Sequence, residues 1–288
     1  MSNVTSYRSF KLWLPGLLAM LAFAANSLLC RLALKGSHID PASFSSIRII
    51  SGALMLLLLT RSRNPLKLQE SSWIGAVALF VYAASFSYAY INLPAGTGAL
   101  LLFGAVQFTV IGYGIWAGER LTLRQLCGLG VAIAGLVMLL LPGLTTPHPG
   151  GVALMLLAGL AWGAYNILGK RSVSALEMTF GNFVKSVPLA VFLSIATMKN
   201  AHLDLHGVLF AVLSGAMASA IGYMIWYRVV RDIKSTSAAA IQLSVPVITA
   251  IGGVILLSEP ITFRLTLASC AVLGGVALVM MPTDQTRP

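Results

Sequence analysis

Long apolar stretches of about twenty residues alternate along the whole chain with short polar stretches. A helix needs about 20 apolar residues to cross the hydrocarbon core of a bilayer. Proline, charged or turn residues separate most of the stretches, as they do at helix ends. The pattern predicts an all-α integral membrane protein, with residues 1–288 in a single membrane domain. Its ten predicted transmembrane helices cover residues 12–34, 41–60, 71–91, 94–117, 122–142, 149–169, 176–198, 206–228, 235–257 and 262–282.

The composition strengthens this prediction. Apolar residues make up 58% of the chain, charged residues 9%, and the mean hydropathy is +0.88. Soluble domains carry about 25% charged residues. A soluble core cannot bury so large an apolar surface, so the expected surroundings are the lipid bilayer.

The net charge of +11 comes from 19 Lys and Arg residues against 8 Asp and Glu residues. The basic residues stand singly at the ends of the apolar stretches, which argues against nucleic-acid binding. Thirteen of them fall in the segments on the side of the N-terminus and four on the opposite side. Because cytoplasmic loops collect Lys and Arg, we expect a multi-pass protein of the cell inner membrane with both termini cytoplasmic.

The second half of the chain repeats the first. With a shift of 140 residues, positions 109–142 align without gaps to 249–282 and share nine identical residues, where about three are expected by chance. The predicted repeats are 12–142 and 149–282. Each has five helices, and because five is odd the second enters the membrane from the opposite side. Such inverted repeats are typical of transporters that open alternately to the two sides around a central cavity.

Several motifs resemble one family. Residues 236–240 (Thr-Ser-Ala-Ala-Ala), Val245-Pro246-Val247 and Ser258-Glu259-Pro260 resemble the last helix pair of the drug/metabolite transporter superfamily, EamA-type branch. Ala161-Trp162-Gly163 resembles the opening of that family's repeat. The first half departs from the pattern, with Phe23 for Trp and Glu119-Arg120 for Glu-Pro. The resemblance implies a cavity lined by helices 1, 3, 4, 6, 8 and 9, with helices 5 and 10 as scaffold.

Polar residues deep in these helices are candidates for substrate binding, because such residues are costly in a membrane and usually face a cavity or one another. Interhelical hydrogen bonding is the alternative role. The candidates are Asn26, Gln107, Asn166, Gln242 and Ser244.

Two basic residues, Arg48 and Lys185, lie within predicted helices rather than at their ends. Arg48 comes early in its helix, where a long side chain can extend to the interface. Lys185 is more central and is the preferred cationic site for a carboxylate. Tyr82, Trp162 and Tyr223 lie deep enough to form a pocket for an apolar or aromatic side chain.

Acidic residues are missing from the middle of every predicted helix. This absence disfavours exchange of cationic drugs for protons, which needs a membrane carboxylate. Glu119 and Glu259 occupy equivalent repeat positions at helix ends, and we expect both to be structural, capping helices together with Thr122 and Thr262. The sequence carries no phosphate-binding loop, no metal-ligand pattern and no convergent catalytic set, so we expect no cofactor, no metal and no enzymatic activity.

The residues and the resemblance together favour a monomeric exporter of small metabolites, above all neutral and aromatic amino acids. An exporter of drugs or purine-like metabolites is the alternative within the family. A channel or a membrane enzyme is the alternative outside it.

Overall fold

A computed structural model describes residues 2–36, 38–60, 71–118, 121–141, 147–170, 172, 174–232 and 241–280. Within these ranges the chain forms ten helices, which confirms the predicted all-α class. Glu119 and the 236–240 motif lie outside the described residues. The helices are α1 (Ser2–Lys35), α2 (Pro41–Thr60), α3 (Trp73–Ala89), α4 (Ala95–Trp116), α5 (Leu123–Leu140), α6 (Pro149–Lys170), α7 (Ala175–Ala196), α8 (Leu205–Leu213, Ser214–Ile221 and Gly222–Asp232 in continuous succession), α9 (Ser244–Leu257) and α10 (Phe263–Met280).

Seven of the described helices are long and apolar enough to cross a membrane, namely α1, α2 and α4 to α8. Helices α3, α9 and α10 are shorter apolar helices. Leucine, isoleucine and phenylalanine side chains are exposed along many of them, as expected where lipid takes the place of water. The chain is a multi-pass membrane protein.

Side chains cap the helices where the sequence changes from polar to apolar. Ser72 accepts a hydrogen bond from Gly75 N at the start of α3 (2.9 Å). Thr122 and Gln125 form a capping box at α5, and Thr262 accepts from Leu265 N at α10 (3.1 Å). The two threonines therefore cap their helices as expected, since their oxygens satisfy backbone N–H groups that the helix leaves open.

Glu259 does not cap α10, and its carboxylate instead joins helix α1 to the start of α4. Its Oε1 lies 2.8 Å from Arg31 Nε of α1, and its Oε2 accepts from Ala95 N, the first residue of α4 (2.7 Å). Arg31 also donates to the carbonyl of Tyr90 (2.8 Å), and Lys35 Nζ donates to the carbonyl of Leu257 (2.8 Å). We call Arg31, Lys35, Ala95 and Glu259 the terminal clasp.

The packing of the helices follows the sequence repeat: replacing each helix by its counterpart five places along the chain turns each main helix contact into another observed contact. Helix α3 packs on α6 as α8 packs on α1, and α4 packs on α6 as α9 packs on α1. Helix α2 packs on α8 as α7 packs on α3. In the pairs α2–α7, α4–α9 and α5–α10, each helix packs directly on its own counterpart in the other repeat. The two halves are therefore related in packing as well as in sequence.

Helices α5 and α10 form a close pair at one side of the bundle. Gly128 of α5 lies against the backbone carbonyl of Gly275 in α10, and Gly135 lies against the Cβ of Ala271. Small residues let two membrane helices approach closely. The main further contact of this pair is with α4, so it stands beside the core of the fold.

Candidate functional site

A small cavity lies at the centre of the bundle, between α1, α3, α4, α6 and α8. It offers about 10 Å³ to the centre of a water molecule, which is room for about one water and too little for an organic solute. A solute can enter only when these side chains move apart. The residues that line the cavity are Phe23, Asn26, Ser27, Tyr82, Phe86, Leu102, Phe103, Trp162 and Tyr223.

Trp162 of α6 is the centre of the aromatic part of this cavity. Its ring centroid lies 4.7 Å from that of Tyr223 and 5.0 Å from that of Tyr82. Phe23 of α1 packs edge-on against it at 6.1 Å. Because these rings come from four helices, the cluster provides an apolar surface that each of those helices helps to shape.

The polar part of the cavity is a chain of hydrogen bonds through Asn26. Ser214 Oγ donates to Asn26 Oδ1 (2.6 Å), and Asn26 Nδ2 donates to the hydroxyl of Tyr82 (3.1 Å). All three side chains are buried. The hydroxyl of Tyr82 in turn accepts from Arg48 Nη2 (3.0 Å), so the chain leads from α8 through α1 and α3 to α2.

Arg48 is buried at the end of this chain, with 2% of the residue exposed. It does not extend to the interface as the sequence suggested, because helices α3 and α8 turn hydrogen-bond acceptors and ring faces toward it. Nε donates to Ser219 Oγ (3.2 Å), and Nη2 also lies 3.5 Å from the Tyr223 hydroxyl. The guanidinium carbon lies 5.0 Å from the ring centroid of Tyr82 and 5.1 Å from that of Phe86, both within the range of cation–π attraction.

The segment Ser214–Ile221 of α8 is a π-helix, and it explains why two serines reach the same network. In an α-helix, residues five apart point about 140° away from each other. A π-helix bonds residue i to residue i+5 and so brings such a pair onto one side. Ser214 and Ser219 are five apart, and they hold Asn26 and Arg48, respectively.

Among the described residues, only neutral groups contact the charge of Arg48. Its partners in the described residues are hydroxyl groups and aromatic rings, and Nη1 has no hydrogen-bond partner there. An arginine at the centre of a membrane helix costs about 2.5–3.5 kcal/mol on insertion scales. The site therefore contains a positive charge that an anionic group could neutralise.

Four of the nine residues singled out from the sequence meet at this cavity: Asn26, Tyr82, Trp162 and Tyr223. Gln107 is buried in α4 with Nε2 unpartnered among the described residues, and Gln242 is buried just before α9. Neither glutamine is among the cavity-lining residues.

The other three candidates are not among the cavity-lining residues, and each donates to a backbone carbonyl. Asn166 Nδ2 donates to Trp162 O one turn back in its own helix (2.9 Å), and Ser244 Oγ donates to Ile241 O (2.7 Å). Lys185 Nζ donates to Ser71 O, beside the start of α3 (2.9 Å). The cation in contact with the central cavity residues is therefore Arg48, whereas Lys185 contacts the backbone beside the start of α3.

Sequence reasoning did not select Ser214, Ser219 or Phe103. Both serines lie in an apolar stretch where hydroxyls commonly bond to their own helix. The π-helix that reorients them leaves no visible signal in the pattern of apolar positions. Among the described residues, no group of three or more His, Cys, Asp or Glu side chains could hold a metal ion.

Comparisons with known proteins give a consistent result. The model of the EamA-like transporter family matches residues 12–141 and 149–281. An uncharacterized protein of Pseudomonas aeruginosa is 51% identical over 266 residues, which cover 92% of this chain and 93% of the relative. A probable amino-acid metabolite efflux pump of Escherichia coli is 24% identical and covers 90% of this chain and 91% of its own.

Two further comparisons extend this result. A probable terminal-alkyne amino-acid exporter of Streptantibioticus cattleyicolor is 26% identical, with 86% of each chain covered. A solved crystal structure with 17% sequence identity has a TM-score of 0.65 and covers 93% of this chain and 96% of its own. At this identity the last comparison speaks for the fold alone.

Proposed function

Because the chain belongs to the EamA-like transporter family, we propose that it exports amino acids and related metabolites from the cytoplasm across the inner membrane. The observation that carries the proposal is a buried arginine beside an aromatic cavity, with Arg48 Nη2 3.0 Å from the hydroxyl of Tyr82. A cation suits a carboxylate, and the rings of Trp162 and Tyr223 suit an apolar or aromatic side chain.

The proposed mechanism is alternating access between the two repeats. The cavity lies between helices of both halves, and in this conformation it is closed around about 10 Å³. The terminal clasp holds α1, the start of α4 and the turn after α9 together at one end. Opening to either side would separate helices of one repeat from those of the other, as in other inverted-repeat transporters.

The relatives named above support the substrate class. Their names describe export of an amino-acid metabolite and of a terminal-alkyne amino acid. The excess of Lys and Arg in the segments on the side of the termini supports a cytoplasmic location for both termini. We further propose that the chain works as a monomer, since each chain contains both repeats and a complete central cavity.

Exchange in proteoliposomes tests the proposal. Liposomes loaded with unlabelled phenylalanine or methionine and containing the purified protein should accumulate the labelled amino acid, and protein-free liposomes should not. If a labelled quaternary ammonium dye is exchanged and none of the amino acids is, the function is drug efflux. A permanent cation would have to bind beside Arg48 on aromatic faces alone, which disfavours that outcome.

A further inference from the structure

The groups around Arg48 indicate which parts of an amino acid the site recognises. We propose that this transporter recognises its substrate by a carboxylate and an apolar or aromatic side chain, and that it does not require the α-ammonium group. Aromatic and apolar 2-hydroxy and 2-oxo acids would then be substrates alongside the amino acids. This inference rests on the proposed function and deepens it.

The first argument is that one nitrogen of the Arg48 guanidinium, Nη1, donates no hydrogen bond within the described residues. Arg48 Nε and Nη2 donate to Ser219 and Tyr82, whereas Nη1 is buried and has no partner in the described parts of the chain. A guanidinium binds a carboxylate through two parallel N–H groups. Nη1 together with Nη2 provides that pair once the bond from Nη2 to the Tyr82 hydroxyl is exchanged for one to the substrate.

The second argument is position. Three of the residues that line the cavity, Tyr82, Phe86 and Tyr223, contact the guanidinium, by hydrogen bonds or by ring faces. The cation and the cavity are thus separated by side chains that must move for any solute to enter. When those rings move apart, the carboxylate of the solute reaches Arg48 and its side chain replaces them against Trp162.

The third argument concerns the ammonium group. The acidic residues that the structure describes all lie at helix ends, and they are Asp40, Glu177, Asp204, Asp232 and Glu259. None of the remaining three lies in the middle of a predicted helix. At the cavity, an ammonium group would meet the Asn26 amide, hydroxyls and ring faces, all neutral, beside the positive charge of Arg48. The carboxylate gains a full counter-charge there, whereas the ammonium group gains none.

A competition experiment measures each group separately. Proteoliposomes exchanging labelled phenylalanine are challenged with phenyllactate, which lacks the ammonium group, and with phenylalanine amide and phenethylamine, which lack the carboxylate. We expect phenyllactate to compete within about threefold of phenylalanine. The two compounds without a carboxylate should compete at least about tenfold more weakly.

Two variants link the pattern to Arg48. Arg48→Lys keeps the charge but loses the paired N–H groups, and should weaken phenylalanine and phenyllactate together. Ser219→Ala removes the acceptor of Nε without touching the charge, and should have a smaller effect in the same direction. Lys185→Gln is the matched change of a cation outside the cavity, and it should keep the wild-type order of competitors.

The outcomes separate this inference from the proposed function. If phenylalanine is exchanged and only compounds with an ammonium group compete, the inference is wrong and the export of amino acids stands. If no amino acid is exchanged, uptake of labelled phenyllactate by the same liposomes decides: uptake above that of protein-free liposomes supports the inference, and none overturns it. The inference is also overturned if Lys185→Gln weakens phenylalanine and phenyllactate together while Arg48→Lys leaves both unchanged.

Discussion

The side chain of Arg31 lies 2.8 Å from that of Glu259 and links the first helix of one repeat to the end of the ninth helix in the other. The two residues are 228 positions apart. Glu259 also holds the first backbone N–H of α4, at Ala95. One carboxylate therefore satisfies a guanidinium and a helix start, both at the same end of the bundle.

Replacing Glu259 by Gln tests this link. The amide can still accept from Ala95 N, but it loses the ionic bond to Arg31. We expect the free energy of unfolding to fall by about 1.5–3 kcal/mol, the range for hydrogen bonds to charged groups, seen as a lower melting midpoint in detergent. The order of substrates should stay as in the wild type, because the clasp lies outside the cavity. A changed substrate order at normal stability would contradict a structural role.

Gly215 is the contact point between the π-helical part of α8 and helix α2. A Cβ there would meet the carbonyl oxygen of Arg48 and Ser51 Oγ. Gly215→Ala should force the two helices apart and lower the free energy of unfolding by about 1–3 kcal/mol. Gly274→Ala in α10 is the matched control, since nothing lies within 4 Å of its added Cβ. Equal melting midpoints for the two variants would show that α8 and α2 are not packed this closely.

The helices could be predicted from sequence because length and hydropathy are properties of each segment alone. The two threonine caps were likewise visible, since each lies directly before an apolar stretch. Depth in the membrane was enough to select Asn26 and Trp162 as candidates, and both line the central cavity. For these residues, the position along the chain and the surrounding hydropathy are enough to predict where the residue lies in the fold.

Arg48 shows what such a pattern leaves out. It is the eighth residue of α2, about 10 Å from the helix start, which is compatible with both an interfacial and a buried side chain. Its burial depends on which helices face it and on the π-turn that places Ser219 beside it. Asn166 is the opposite case, because its depth suited the cavity but its amide bonds to the backbone of its own helix.

Asp204 predicts a pH-dependent contribution to stability. It lies outside the membrane-spanning segments, where Gly207 N donates to Oδ1 (2.7 Å) and His38 Nδ1 lies 2.6 Å from Oδ2. The bond from Gly207 N, followed by His38, lowers the pKa of the Asp204 carboxyl below its usual value. A lowered folded pKa stabilises the fold above the unfolded value of about 3.9, and the contribution disappears as pH falls through the folded pKa.

Asp204→Asn isolates that contribution, because Asn is also a good N-cap. We expect the wild type to melt at a higher temperature than the variant at pH 7, and the difference to shrink as the pH is lowered below about 4. Thermal unfolding in detergent across this range measures it. A difference that stays constant with pH would mean that the charge of Asp204 contributes nothing.

Trp162 should determine the preference for aromatic substrates. Its ring is the common neighbour of Phe23, Tyr82 and Tyr223, and an aromatic pair contributes about 0.5–1.5 kcal/mol beyond buried area. Trp162→Ala should therefore raise the half-saturation concentration for phenylalanine by about 2- to 12-fold, and that for methionine by less. Trp162→Phe, which retains a ring, should fall in between and serves as the better-folded variant.

Trp116→Ala is the control, because that tryptophan is 82% exposed and should leave both values near those of the wild type. Equal losses for phenylalanine and methionine in Trp162→Ala would indicate a role in packing alone, since a ring that selects substrates must distinguish an aromatic side chain from a flexible one.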